Sequence, residues 1–169
     1  GPEVDPAAIL TALAVDPGAV DSALPAQVVS TGLPALLIPL RTPTALATAS
    51  FSAAALEEAL HGLVADPVSL NCYLVSQRSP GRWQARSFAL DTHGGEDPAT
   101  GSAAGALGAY LRERRGVDEF VIDQGVEMGE PSRLHIDSAD GIRVEGQVSI
   151  RMTGTVNLPS ARAAGSRPR

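Results

Sequence analysis

The stretch Glu96-Asp97-Pro98-Ala99-Thr100-Gly101-Ser102-Ala103-Ala104 sets two carboxylates, two hydroxyls and a proline ahead of a run without charge. Pro98 is tolerated where a helix has not yet needed its N–H, and Asp97 or Thr100 can accept bonds from the first free amides. A helix therefore starts here. Gly101, Ser102, Ala103 and Ala104 keep bulk away from that terminus. Its unpaired amides and the positive end of its dipole would then seat a carboxylate or phosphate directly. The plainer alternative is that Asp97, Thr100 and Ser102 are ordinary helix caps, and spacing alone leaves both readings open.

Other chemistry-bearing residues are sparse. His93 lies in the loop feeding this motif, where an imidazole titrating near neutral pH could move protons or simply face water. His61 and His135 have no partner pattern, so no metal site is expected. Cys72 lies in an apolar strand, which predicts a buried and inert thiol. No Gly-x-Gly-x-x-Gly follows a strand, which argues against a nucleotide cofactor. All 13 basic residues are arginine, so lysine Schiff-base chemistry is excluded.

The motif needs a scaffold, and the chain is large enough to supply one. Its 169 residues, 44% hydrophobic and 19% charged, describe one packed domain with an aliphatic core. A net charge of −6 and only 4% aromatic residues disfavour nucleic-acid partners. The single cysteine and the lack of a secretory or membrane-spanning run point to the cytoplasm and to no membrane association. Residues 1–159 are read as the domain and 160–169 as a flexible tail, with Gly1-Pro2 resembling the remnant of a cleaved tag.

Patterning predicts the elements around the motif. The helix Ser102 to Arg114 is uncharged from Ala103 to Leu111, as in a helix surrounded by protein, and ends in arginines before Gly116. A helix from Asp5-Pro6 to about Ala14 and another from Ser50 or Ser52 to about His61 are expected. Strands are expected at Ala26–Ser30, Ala35–Leu40, Leu70–Val75, Trp83–Phe88, Glu119–Asp123, Arg133–Asp137, Ile142–Glu145 and Val148–Met152. Hairpin-connected strands with interspersed helices make an α+β fold.

The words of the motif are more specific than its chemistry. Glu96 to Ala103 resembles the signature of the phenazine-biosynthesis isomerase family (PhzF-like), which has the diaminopimelate epimerase fold. Gln27-Val28-Val29-Ser30-Thr31-Gly32, Leu36-Leu37-Ile38-Pro39, Ala85-Arg86-Ser87-Phe88-Ala89 and Gln124 to Ser132 resemble further family segments, in family order. Ser87-Phe88-Ala89-Leu90 stands where the family commonly has Met-Phe-x-Pro, and Glu130 where it has arginine.

The resemblance is to the C-terminal half of such proteins. It implies one epimerase-type hemisphere, a curved mixed or antiparallel sheet wrapped around the central helix. It further implies a cofactor-independent isomerase that moves a proton on a small carboxylate-bearing metabolite, in secondary-metabolite biosynthesis such as that of antibiotics. On this reading Asp97 is the catalytic-face aspartate, Glu96, Gly101, Ser102 and Ala103 bind substrate, and His93 is a further candidate. The family's shuttling glutamate belongs to the other hemisphere. A complementary N-terminal-half protein, as in a split enzyme, or self-association is therefore the expected partner. The alternatives are a non-catalytic binding or scaffold subunit, or a truncated half of a full-length isomerase.

Overall fold

The computed structural model describes residues 1–61, 63 and 69–157. The expected tail at 160–169 lies outside them. Helix α1 (Ala7–Ala12) has Pro6 at its N-cap, and Asp5 just before it accepts through Oδ1 from the Ala7 N–H. Strands β1 (Gln27–Ser30) and β2 (Pro34–Leu40) form a hairpin, followed by α2 (Pro43–Ala47) and α3 (Ala53–Leu60). Then come β3 (Asn71–Ser79), β4 (Arg82–Phe88), a two-residue β5 (Glu96–Asp97) and α4 (Gly101–Arg115). Strands β6 (Glu119–Gln124), β7 (Ser132–Asp137) and β8 (Arg143–Gly146) follow.

Among the described residues all eight strands join one mixed sheet, ordered β1-β2-β3-β4-β6-β7-β8, with β5 beside β4. β2 runs parallel to β3 and β4 parallel to β6, and the other neighbours are antiparallel. Helix α4 touches β1 and β2 at one side of the sheet and β7 and β8 at the other, so the sheet curls around it as a half-barrel. Glycines permit that closeness. A Cβ at Gly108 would stand 2.8 Å from Ile136 Cγ2, and one at Gly105 would press on Ile142, Thr31 and Val144.

Alternation along the strands divides the core in two. Leu37, Tyr73, Val75, Trp83, Phe120 and Ile122 face inward onto α4, whereas Leu36, Ile38, Cys72, Leu74 and Phe88 face the helices α1 to α3. The α4 helix stops as its sequence predicts, with Gly116 at φ 64° donating its N–H to the Arg112 carbonyl and Val117 donating to the Leu111 carbonyl.

Several elements differ from expectation, among them β5 and a 3-10 turn at Pro17–Ala19, neither of which the patterning predicts. The Val148–Met152 strand does not form: the segment carries no ladder bonds among the described residues, and Val148, Ile150 and Met152 are at least 84% exposed. Its alternation suits a sheet, but β8 gains no further neighbour. Helix α2, unforeseen, is a five-residue turn started by Thr42, whose Oγ1 accepts from the Ala45 N–H. No helix among the described residues is long and apolar enough to cross a membrane.

Candidate active site at the start of helix α4

Helix α4 begins without a side-chain cap. Thr100 occupies the N-cap position, yet its hydroxyl turns back and donates to Asp97 Oδ2 at 2.6 Å. Asp97 Oδ1 has only a long contact, 3.4 Å, with the Ala99 N–H. The ordinary-cap reading of these two residues therefore does not describe the geometry. The first-turn amides lack intrahelical partners by construction, and they open onto exposed Gly101 and Ser102. A Cβ added at Gly101 would meet nothing within 4 Å, so there is room for a ligand against the backbone. Ala103 is buried and forms the floor of this turn.

The aspartate is placed by β5, where Asp97 lies opposite Ser87 and Glu96 opposite Phe88 of β4. Glu96 is otherwise engaged. Arg86 Nε donates to its Oε1 at 2.8 Å and Arg86 Nη2 to its Oε2 at 2.7 Å, so both carboxylate oxygens are occupied. The same guanidinium donates through Nη1 to the carbonyl of Ala49 at 2.6 Å and lies over the Phe88 ring. Of the residues read as substrate-binding, Gly101 and Ser102 are exposed in the turn that follows Asp97, Ala103 is buried, and Glu96 instead belongs to an internal ion pair. His93 is exposed in the loop before Gly95, and among the described residues no hydrogen bond or ion pair ties it to the motif.

Behind Asp97 lies a polar cluster that sequence reasoning left without a role. Gln124, buried at the end of β6, reaches the Asp97 carbonyl, Thr100 and the Tyr73 hydroxyl. Burial pushes the Tyr73 phenol well above its ordinary range, and the Asp97 charge adds to the effect. Tyr73 therefore keeps its proton and donates it to Gln124 Oε1. The signal was present in Gln124-Gly125, quoted above as a family segment, but nothing local in it names its partners.

Cys72 is buried on the helix-covered side of β3, and burial pushes its thiol up to about 12. It faces away from α4, as the expectation of an inert cysteine requires.

The sequence matches the family described as "Phenazine biosynthesis-like protein" over residues 2–159. It is 40% identical over 91 residues to the "Trans-2,3-dihydro-3-hydroxyanthranilate isomerase" of Pseudomonas fluorescens, covering 52% of this chain and 31% of that protein. It is 37% identical over 62 residues to the "Uncharacterized isomerase YfhB" of Bacillus subtilis, covering 36% of this chain and 20% of that one. Among solved structures, a "Predicted Epimerase" from Pseudomonas aeruginosa superposes with TM-score 0.63 at 30% identity, covering 90% of this chain and 55% of that one. The PhzF-family phenazine biosynthesis protein of Bacillus anthracis superposes with TM-score 0.61 at 18% identity, covering 80% and 49%. The chain thus spans about half the length of these solved structures. With a curled α+β half-barrel of the same kind and a match along nearly its whole length, the chain belongs to the phenazine biosynthesis-like (PhzC-PhzF) family.

Proposed function

We propose that this chain is one hemisphere of a cofactor-independent isomerase that shifts a double bond in a small carboxylate-bearing ring by general acid/base proton transfer. The observation that carries the reading is the uncapped start of α4 beside Asp97 Oδ1. The Gly101 and Ser102 amides hold the substrate carboxylate, and Asp97 accepts a hydrogen bond from a hydroxyl or amino group on the same ring. Relatives named trans-2,3-dihydro-3-hydroxyanthranilate isomerase act on a molecule with this pattern of groups, which makes it the first substrate to test.

The proton carrier comes from a second hemisphere, on the same polypeptide or another. Two features support this. Glu96, the adjacent acid, is neutralised by Arg86 and unsuited to shuttling. The exposed row Val148, Ile150, Met152 and Val156 also provides apolar surface for a partner to cover. A cleft of about 600 Å³ runs from Ala99 of the motif to Val148 at the start of that row.

The test is turnover of trans-2,3-dihydro-3-hydroxyanthranilate by this chain alone and with a complementary hemisphere, followed by chromatography of the isomers. Activity in the pair that falls about a hundredfold or more in Asp97→Asn supports the reading. Carboxylate binding without turnover in every pairing selects the second reading, a binding subunit, which the engagement of Glu96 by Arg86 favours.

A further inference from the structure

The Gln124 side-chain amide is saturated. Its Oε1 accepts from the Tyr73 hydroxyl at 2.9 Å and from the Thr100 N–H at 3.3 Å. Its Nε2 donates to the Asp97 carbonyl at 2.6 Å and to Thr100 Oγ1 at 3.0 Å. An amide has two acceptor lone pairs and two N–H groups, so nothing is left over. The directions are forced as well. A backbone N–H only donates and a backbone carbonyl only accepts, which admits one orientation of the amide. Because Nε2 donates into Thr100 Oγ1, the Thr100 hydrogen is directed to Asp97 Oδ2, 2.6 Å away. One acceptor site of Oδ2 is thereby used, and Oδ1, with only the 3.4 Å contact from the Ala99 N–H, is the freer oxygen for a ligand.

The backbone beside Gln124 is docked on the same loop. Gly125 has φ 75°, and a Cβ there would stand 3.0 Å from the Cβ and carbonyl oxygen of Pro98. The end of β6 is thus pressed against the Asp97-to-Thr100 loop both by its backbone and through a buried amide.

We propose that Gln124 is a positioning residue: by aiming the Thr100 hydroxyl at Asp97 Oδ2, it presents Oδ1 to a donor group of a ligand seated on the α4 amides. The proposal rests on the reading of α4 as a carboxylate seat. Gln124 itself is fully buried and touches no ligand. It acts on specificity for hydroxyl- or amino-bearing carboxylates, not on carboxylate capture.

The experiment titrates 3-hydroxyanthranilate and benzoate into the whole chain, reading the Gly101 and Ser102 amides by NMR, with exchange of the Thr100 amide measured in parallel. In the wild type, 3-hydroxyanthranilate binds at least about fivefold better than benzoate, the worth of one hydrogen bond. Gln124→Met and Thr100→Val lose that preference and keep benzoate affinity, whereas Tyr73→Phe retains it. In Gln124→Met the Thr100 amide also exchanges at least about tenfold faster while Leu107, mid-helix, is unchanged. A preference that survives Gln124→Met overturns the positioning role. If Gln124→Met fails to fold, Thr100→Val decides by the same preference. If neither probe moves Gly101 or Ser102 in the wild type, the seat reading fails, and Thr100 exchange alone then supports or overturns the role of Gln124.

Discussion

Arg86 holds Glu96 by two parallel N–H···O bonds, with side chains only 8% and 14% exposed. Desolvating two charges is costly, and the pair is tolerable because Arg86 Nη1 also donates to the Leu46 and Ala49 carbonyls, at and just after the end of α2. The arrangement ties β4, β5 and the α2 end into one unit just ahead of Asp97. Removing one partner leaves an unpaired buried charge, so Glu96→Gln and Arg86→Met should each cost about 3–5 kcal/mol in denaturant unfolding. The double variant Arg86→Met, Glu96→Leu should cost clearly less than the sum. Strict additivity would mean that the two side chains are not coupled.

Gly125 allows a closer test of how β6 meets the motif loop. Gly125→Ala imposes a positive φ on a side chain and drives its Cβ into Pro98 and the Glu130 carbonyl. Gly129→Ala imposes a similar φ, 76°, with open space around it. Thermal unfolding should show Gly125→Ala less stable than Gly129→Ala by at least about 1 kcal/mol, the difference isolating the steric part. Equal losses would show that the contact with Pro98 relaxes freely.

What could be read from the sequence was what local periodicity encodes. The uncharged run from Ala103 to Leu111, bounded by Pro98 and Gly116, specified a buried helix with a defined start and stop, and α4 follows it closely. The site's supporting bonds were not legible, because Gln124 and Asp97 are 27 positions apart and meet only once the parallel β4–β6 pairing is made. Glu96 shows the same limit in reverse. Its place in the motif suggested a ligand contact, while its partner Arg86 lies ten positions away on a neighbouring strand. Val148–Met152 had the alternation of a strand, but a strand also needs an open edge to pair with, and alternation does not reveal where that edge is.

Cys72 predicts an alkaline weakness. Its thiol ordinarily ionises near 9.0, whereas burial in the folded chain pushes it up to about 12. Between those values the unfolded chain loses a proton that the folded chain keeps, so the free energy of unfolding falls as pH rises above about 9, by up to about 1.4 kcal/mol per pH unit. Cys72→Ala should flatten this limb of a pH-stability profile, at the cost of a small cavity. A thiol reagent at pH 8 should label the wild type only once denaturant opens it. Prompt labelling of the native chain would contradict the buried placement.

The row after β8 separates assembly from folding. Val148, Ile150 and Met152 are 94%, 84% and 90% exposed, so charges there remove almost no buried area from this chain. Ile150→Asp with Met152→Asp should therefore leave the unfolding midpoint within about 0.5 kcal/mol of the wild type. If a second hemisphere covers this row, the same variant should fail to hold it, because association would bury two unpaired carboxylates against an apolar partner. Sedimentation of a mixture with the complementary hemisphere reads this directly. Loss of the complex with stability unchanged assigns the row to the inter-hemisphere contact. Retention of the complex places that contact elsewhere, and a large loss of stability shows that the row packs within this half after all.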